Sequence, residues 1–186
     1  MKIMKTWIEH FQLPRRLEIS DEIREQIWNM RPNNPSKIKV FGKEHDTPRL
    51  QRAYGKSYSF SGSVAEAVEP IPEMFTKIVD FLNKRYHRNF NMMLINWYRN
   101  GNDYIGMHSD DEKQLKENSP VVTISLGVER DFILKNIETK EKSVYNLENN
   151  SVLTMGGTCQ KTHKHGLPVR KKVTDYRISL TFREFE

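Results

Sequence analysis

Two histidines and an aspartate, His108, Asp110 and His165, are the residues of this chain best suited to hold a metal. Two imidazoles and one carboxylate can take one face of an octahedral ion. The opposite positions stay open for oxygen and a chelating molecule, as in non-haem iron centres. In an extended segment residues i and i+2 point the same way, so His108 and Asp110 can reach one ion. An H-x-D pair alone carries little weight, and a lone histidine carries no more. The run Tyr176-Arg177-Ile178-Ser179-Leu180-Thr181-Phe182-Arg183 changes that weight, because every even position is apolar or aromatic and every odd one is polar. As a strand it sets Arg177, Ser179, Thr181 and Arg183 on one face. Two guanidiniums and two hydroxyls make a wall suited to carboxylates. Asn96 and Tyr98 alternate in the same way and add an amide and a phenol. Together these side chains specify a pocket for a dicarboxylic keto acid beside the metal.

The elements that must position these residues follow from the pattern around them. Short β-rich runs at 92–98, 121–126, 132–135, 143–147, 152–155 and 176–182 are separated by turn chemistry at Asn100-Gly101, Asn149-Asn150 and Gly156-Gly157. Helical signals precede them. Ser20 is a candidate N-cap, with Asp21 and Glu22 in the first turn, an apolar face of Ile23, Ile27 and Met30, and Pro32 as the stop. A second helix starts near Pro72, and its apolar residues from Met74 to Tyr86 recur at helical spacing and read as core. Helices followed by many strands predict an α+β domain with a double-stranded β-helix, or jelly roll, at its centre. Residues 1–90 are expected to give helices and a hairpin lid to the same domain, and residues 91–186 the jelly-roll core. The stretch 37–61 reads as one or two hairpins too polar to be core.

With 186 residues, 37% hydrophobic and 29% charged, the chain can bury a core of its own. No apolar run approaches the ~20 residues that cross a bilayer. Lys2, Lys5 and Glu9 interrupt the N-terminus where a secretory signal needs an apolar stretch. The single cysteine, Cys159, has no internal partner, which fits a reducing intracellular compartment. Thirty basic against twenty-four acidic residues leave a formal charge of +6. Lys161, Lys164, Arg170, Lys171 and Lys172 gather around His165, where a phosphate backbone would pass. A monomer with a nucleic-acid partner and no membrane is the expectation.

Read in order, Asn96-x-Tyr98-x-x-Gly101-x-Asp103-x-Ile105-x-x-His108-x-Asp110-Asp111-Glu112, Ser119-Pro120-Val121 to Ser125-Leu126-Gly127, Arg130-Asp131-Phe132, His165-Gly166-Leu167-Pro168 and Arg177-x-Ser179-x-Thr181-Phe182-Arg183 resemble the core of the AlkB-type Fe(II)/2-oxoglutarate dioxygenases. The resemblance covers residues 37–186. It implies His108, Asp110 and His165 as ligands of Fe(II). It implies Asn96, Tyr98, Arg177, Ser179, Thr181 and Arg183 as contacts of the cosubstrate 2-oxoglutarate, with O2 as oxidant. Ser179 stands where some members carry asparagine, and its shorter hydroxyl weakens one contact. Which arginine meets which carboxylate stays open at this point.

A further set, Val40-Phe41-Gly42-Lys43, Pro48-Arg49, Tyr54-Gly55 and Tyr58-Ser59-Phe60-Ser61, is similar to the branch of that family that repairs duplex DNA. The similarity implies Val40, Phe41 and Gly42 as an apolar finger that fills the gap left by an extruded base. A Phe41 folded back into the core is the competing reading. The similarity further implies Tyr58, Phe60 and Ser61 around the flipped base, which stacks on His108. Asp111 and Glu112 would favour a cationic methylated base, with Arg49 holding Asp111, and Arg170, Lys171 and Lys172 would grip phosphates. The loop 136–142 departs from this branch, because Glu138 and Glu141 accompany Lys140 and Lys142 where a basic loop would clamp the duplex better. The implied activity is oxidative demethylation of 1-methyladenine and 3-methylcytosine in DNA with release of formaldehyde, inside the cell and, if the cell is eukaryotic, in its nucleus. A demethylase of RNA or single strands and a non-catalytic nucleic-acid-binding module are the alternatives.

Overall fold

In chain order the strands are β1 (Trp7–Gln12), β2 (Lys37–Val40), β3 (Lys43–Asp46), β4 (Leu50–Tyr54), β5 (Tyr58–Phe60), β6 (Ser63–Ala65), β7 (Met92–Tyr98), β8 (Ile105–His108), β9 (Val121–Gly127), β10 (Arg130–Asn136), β11 (Lys142–Leu147), β12 (Ser151–Gly156), β13 (His163–Leu167) and β14 (Arg177–Arg183). The helices are α1 (Asp21–Asn29), α2 (Thr76–Tyr86) and the single turn α3 (Cys159–Thr162). This is a computed structural model that describes residues 5–60, 63–67 and 69–186. An antiparallel sheet in the order β1-β12-β9-β14-β7-β4 faces a four-stranded sheet in the order β11-β10-β13-β8. The two form the jelly roll. Two hairpins, β2–β3 and β5–β6, stand apart from both.

Strand β14 shows why the large sheet is arranged this way. Its even residues Ile178, Leu180 and Phe182 join a core with Ile27 of α1 and with Ile78 and Leu82 of α2. Its odd residues face the other sheet. Because β7 and β9 pair along both of its edges, every residue of β14 is buried. Helix α1 starts as its sequence predicts: Ser20 Oγ accepts the Ile23 N–H at 3.3 Å, with Asp21 and Glu22 in the first turn. It ends at Asn29, just short of Pro32. Pro72 opens a 3-10 turn over Glu73–Phe75, so the second helix begins only at Thr76. Trp97 of β7, fully buried, donates Nε1–H to the Ile27 carbonyl at 2.9 Å and locks α1 to the sheet.

Two expectations need correction. The stretch 37–61 is not all too polar for core: in β4, Leu50, Gln51, Ala53 and Tyr54 are buried. β4 pairs with β7 over its whole length, and both of its faces are covered. Leu50 and Tyr54 join the helix-side core, while Ala53 packs with Leu94 and Phe185. Strands β1, β8 and β13 have no clear signal in the sequence either. Residues 1–90, expected to give helices and a lid, also supply β1 and β4, the two edges of the large sheet. Among the described residues no helix is long and apolar enough to cross a membrane.

Replacing Ile27 by Ala should leave a cavity under the sheet and cost about 2–5 kcal/mol in urea unfolding. The exposed Val144→Ala should change stability by less than about 0.5 kcal/mol.

Candidate active site

His108 ends β8, and His165 sits directly opposite it on β13. Their ring centroids are 4.3 Å apart. Asp110, two residues past the end of β8 and 2% exposed, closes the third side. Its Oδ1 lies 3.5 Å from His108 Nε2 and 3.8 Å from His165 Nε2. One ligand atom from each of the three residues falls within 4.8 Å of the others.

The surroundings aim these atoms inward. His108 Nδ1 bonds the Gly106 carbonyl at 2.8 Å, so it carries the proton and leaves the Nε2 lone pair free. Asp110 Oδ2 accepts from Arg183 Nη2 at 3.0 Å, whereas Oδ1 is buried and has no hydrogen-bond partner. The Asp110 backbone N–H donates to Gln160 Oε1 at 2.9 Å. His165 stacks on Phe132, with ring centroids 5.4 Å apart.

Protonation states follow. Burial by itself raises the Asp110 carboxyl, but Arg183 and the two histidines outweigh it and hold the group well below the usual carboxylate range. Burial pushes His165 down to about 3, although Asp110 works against it. At neutral pH the cluster therefore offers an anionic oxygen and a neutral imidazole, the states a divalent cation takes. An orphaned buried carboxylate oxygen facing two imidazole nitrogens fits Fe(II) with three open positions.

Beside the cluster, a cavity between the sheets is lined by all six residues that the sequence marks for a cosubstrate: Asn96, Tyr98, Arg177, Ser179, Thr181 and Arg183. The two arginines are not equivalent. Arg183 reaches the metal cluster through Asp110. Arg177 lies against the Tyr98 ring, 5.2 Å from its centroid, and donates Nη2–H to Ser125 Oγ at 2.9 Å. It is 2% exposed, has an unpartnered Nε and makes no ion pair among the described residues. Burial pushes the Arg177 guanidinium down to about 10, so it stays a cation at neutral pH. A buried cation without an anion costs several kcal/mol, and a bound carboxylate removes that cost. Polar groups continue along the sheet, where Gln51, Asn96, Ser179, Ser125 and Ser151 fall in one row across five strands.

On its other side the cluster opens into a groove of about 1030 Å³, lined by Arg49, Tyr104, Asp111, Glu112 and Lys164 among others. Ile38 of β2 and Val64 of β6 also line it, so both hairpins border the groove. Phe41 and Gly42 form the two-residue turn of β2–β3 with φ of 48° and 77°. Phe41 is 101% exposed, so it does not fold back into the core. Ser61 and the side chains of Val40, Tyr58 and Phe60 lie outside the described residues.

Two substrate-side expectations change. Arg49 donates Nε–H to Asn96 Oδ1 at 2.9 Å rather than to Asp111. Arg170 gives both Nε and Nη2 to Asp131 Oδ2, at 2.8 and 2.6 Å, and so braces its loop; Lys171 and Lys172 remain exposed. Four site residues escaped the sequence reading. Thr123 and Ser125 alternate within an apolar strand, a signal that could have found them. Arg130 stood in the Arg130-Asp131-Phe132 motif without a role of its own, and Gln160 carried no signal. Arg130, 2% exposed, donates to the carbonyls of Asn100, Asp103 and Pro168 and ties together the loops that flank the cluster.

The model of the 2OG-Fe(II) oxygenase superfamily matches residues 5–183. The chain belongs to this superfamily. Its relatives mark it as an AlkB-type member. It is 37% identical to the human DNA oxidative demethylase ALKBH2 over 80% of this chain and 61% of that protein. It is 30% identical to the human alpha-ketoglutarate-dependent dioxygenase alkB homolog 3 over 75% of this chain and 52% of that one. The chain thus spans between half and two thirds of the length of these relatives. The solved structure of OsALKBH1 shares the fold with a TM-score of 0.66 at 20% identity, covering 95% of this chain and 97% of that one.

Replacing Gln160 by Leu leaves all three ligands in place but strands the Asp110 N–H. Affinity for Mn(II), titrated as an oxygen-stable stand-in, should fall about 10–100-fold.

Proposed function

We propose that the protein is an Fe(II)/2-oxoglutarate-dependent dioxygenase that removes N-methyl groups from 1-methyladenine and 3-methylcytosine in DNA. The observation that carries this reading is the position of the His108–Asp110–His165 cluster, between a small cavity walled with arginines and a larger groove edged with carboxylates. The similarity to relatives named DNA oxidative demethylase supports the choice of DNA.

In this reading Arg177, with Ser125 beside it, holds the carboxylate of 2-oxoglutarate remote from the metal. Arg183, already at Asp110, meets the carboxylate next to the metal and keeps Oδ1 aimed inward. When bound, Fe(II) with 2-oxoglutarate and O2 supplies hydroxylation of the N-methyl carbon, giving succinate, CO2 and, from the hydroxymethyl product, formaldehyde. Asp111 and Glu112 attract the cationic methylated base, and the His108 ring forms one wall of its berth. Phe41, standing clear of the protein on a tight turn, enters the stack where the base has left. Lys171 and Lys172 meet phosphates. The working unit in this reading is a monomer, and a eukaryotic host would place that activity in the nucleus.

Formaldehyde and succinate release from matched methylated oligonucleotides tests the reading. Folded, iron-loaded protein that releases neither would sink it, and RNA as the better substrate would move it to the alternative class. Arg177→Gln should raise the KM for 2-oxoglutarate about 10–100-fold, the loss of one charge-assisted contact, with Mn(II) affinity unchanged. Phe41→Ala should cut activity on duplex DNA much more than on single strands; equal losses would remove the wedge role.

A further inference from the structure

We propose that Arg49 is a positioning residue that ties the groove to the cosubstrate cavity, so that filling one strengthens binding in the other through Asn96. This rests on the functional reading above. Three residues line both spaces: Arg49, Ile105 and His108. His108 belongs to the metal cluster, and Ile105 cannot hydrogen-bond. Arg49 is the remaining polar group in the shared wall, and it is 8% exposed.

Its Nε–H donates to Asn96 Oδ1 at 2.9 Å. That bond fixes which end of the amide is taken. The Asn96 NH2 is left for the cavity, where a donor, and not an acceptor, suits a carboxylate. Without Arg49 the amide is free to turn over and present its oxygen to the same carboxylate. Arg49 therefore sets the polarity of a cosubstrate contact from outside the cavity.

A guanidinium has five N–H donors, and only Nε–H is used here. The terminal NH2 groups of Arg49 carry no hydrogen bond among the described residues. These NH2 groups are not sealed from solvent and are the part of Arg49 that faces the groove. The groove supplies acceptors when a base carbonyl or the Asp111 carboxylate closes over them. Satisfied on that side, Arg49 is held, and the Asn96 amide is held with it.

The backbone connects the same residue to the lid. Thr47 Oγ1 donates to the Arg49 carbonyl at 2.8 Å, and the Thr47 N–H donates to the Ser36 carbonyl at 2.8 Å. Ser36 immediately precedes β2, whose turn carries Phe41. A hairpin drawn towards DNA thus pulls on the segment that aims Arg49.

The test is calorimetric binding of 2-oxoglutarate to Mn(II)-loaded protein, with and without a duplex oligonucleotide containing 1-methyladenine. In the native protein the oligonucleotide should tighten 2-oxoglutarate about fivefold or more, and 2-oxoglutarate should tighten the oligonucleotide by the same factor. Arg49→Lys, which keeps the charge but loses the fork, should shrink that factor to less than about twofold, with thermal midpoint and Mn(II) affinity retained. Thr47→Val, which loosens the Arg49 backbone and leaves the guanidinium intact, should also reduce it, and serves if Arg49→Lys does not fold. Absence of coupling in the native protein, or undiminished coupling in the variants, overturns the proposal. If the variants keep full coupling while the native enzyme releases formaldehyde, only the role of Arg49 falls. If the native protein fails to bind 2-oxoglutarate at all, the functional reading falls and this one with it.

Discussion

The ion pair between Arg183 and Asp110 is the contact on which the site depends. It spans the gap between the sheets, from the inner face of β14 to the segment just beyond β8. It orients a buried carboxylate so that one oxygen is satisfied and the other faces two imidazoles. It also holds Asp110 ionised against the burial that would otherwise protonate it. Removing either partner would leave a buried charge alone, a larger loss than the pair itself is worth. The His108–Asp110–His165 cluster and the polar wall of β14 are therefore parts of one electrostatic unit.

Such a unit is expensive inside a protein, and the fold shows where the expense is offset. The inner face of β14 buries two arginines and two hydroxyls, and the row through Gln51, Asn96, Ser179, Ser125 and Ser151 adds further polar groups. The outer face of the same sheet is almost wholly apolar and is covered by α1 and α2. Period-two alternation separates the two tasks within single strands, so stability and chemistry compete for different side chains. Helices α1 and α2 need not approach the site. They anchor the sheet, as the Trp97 bond to Ile27 shows, and so keep the polar face in register.

How much of this was legible in the sequence depended on the range of the signal. Alternation in residues 176–183 is local, and it correctly placed four residues on the cavity wall. The order of motifs around His108 and His165 gave the metal cluster. The strands that carry those two histidines were not legible. Ile105–His108 and His163–Leu167 contain glycine, histidine and lysine in place of β-branched runs. They are extended because β13 pairs with both β10 and β8. β4 was misread for a related reason, since its mixed composition is buried by neighbours distant in sequence. The partners of Arg49, Arg170 and Gln160 are likewise tertiary facts. A sequence shows that an arginine is present, but the packing decides whether it holds a phosphate, an aspartate or an asparagine.

That last choice governs how a site of this kind can discriminate. The metal cluster lies on the small sheet and the cosubstrate wall on the large one, while the groove is bordered by hairpins that belong to neither. Three separately anchored bodies must agree before chemistry is set up. Rigid strands give the first two a fixed relation. The β2–β3 hairpin, joined to the sheet through the Thr47–Arg49 segment, is the part whose position a substrate can change in the proposed function. A fully exposed Phe41 gains nothing from the folded chain and has apolar surface to bury only against something external. On the proposed function, that burial comes when a base stack opens. On the proposed function, Phe41 is thus an apolar contact that the substrate, and not the protein, completes.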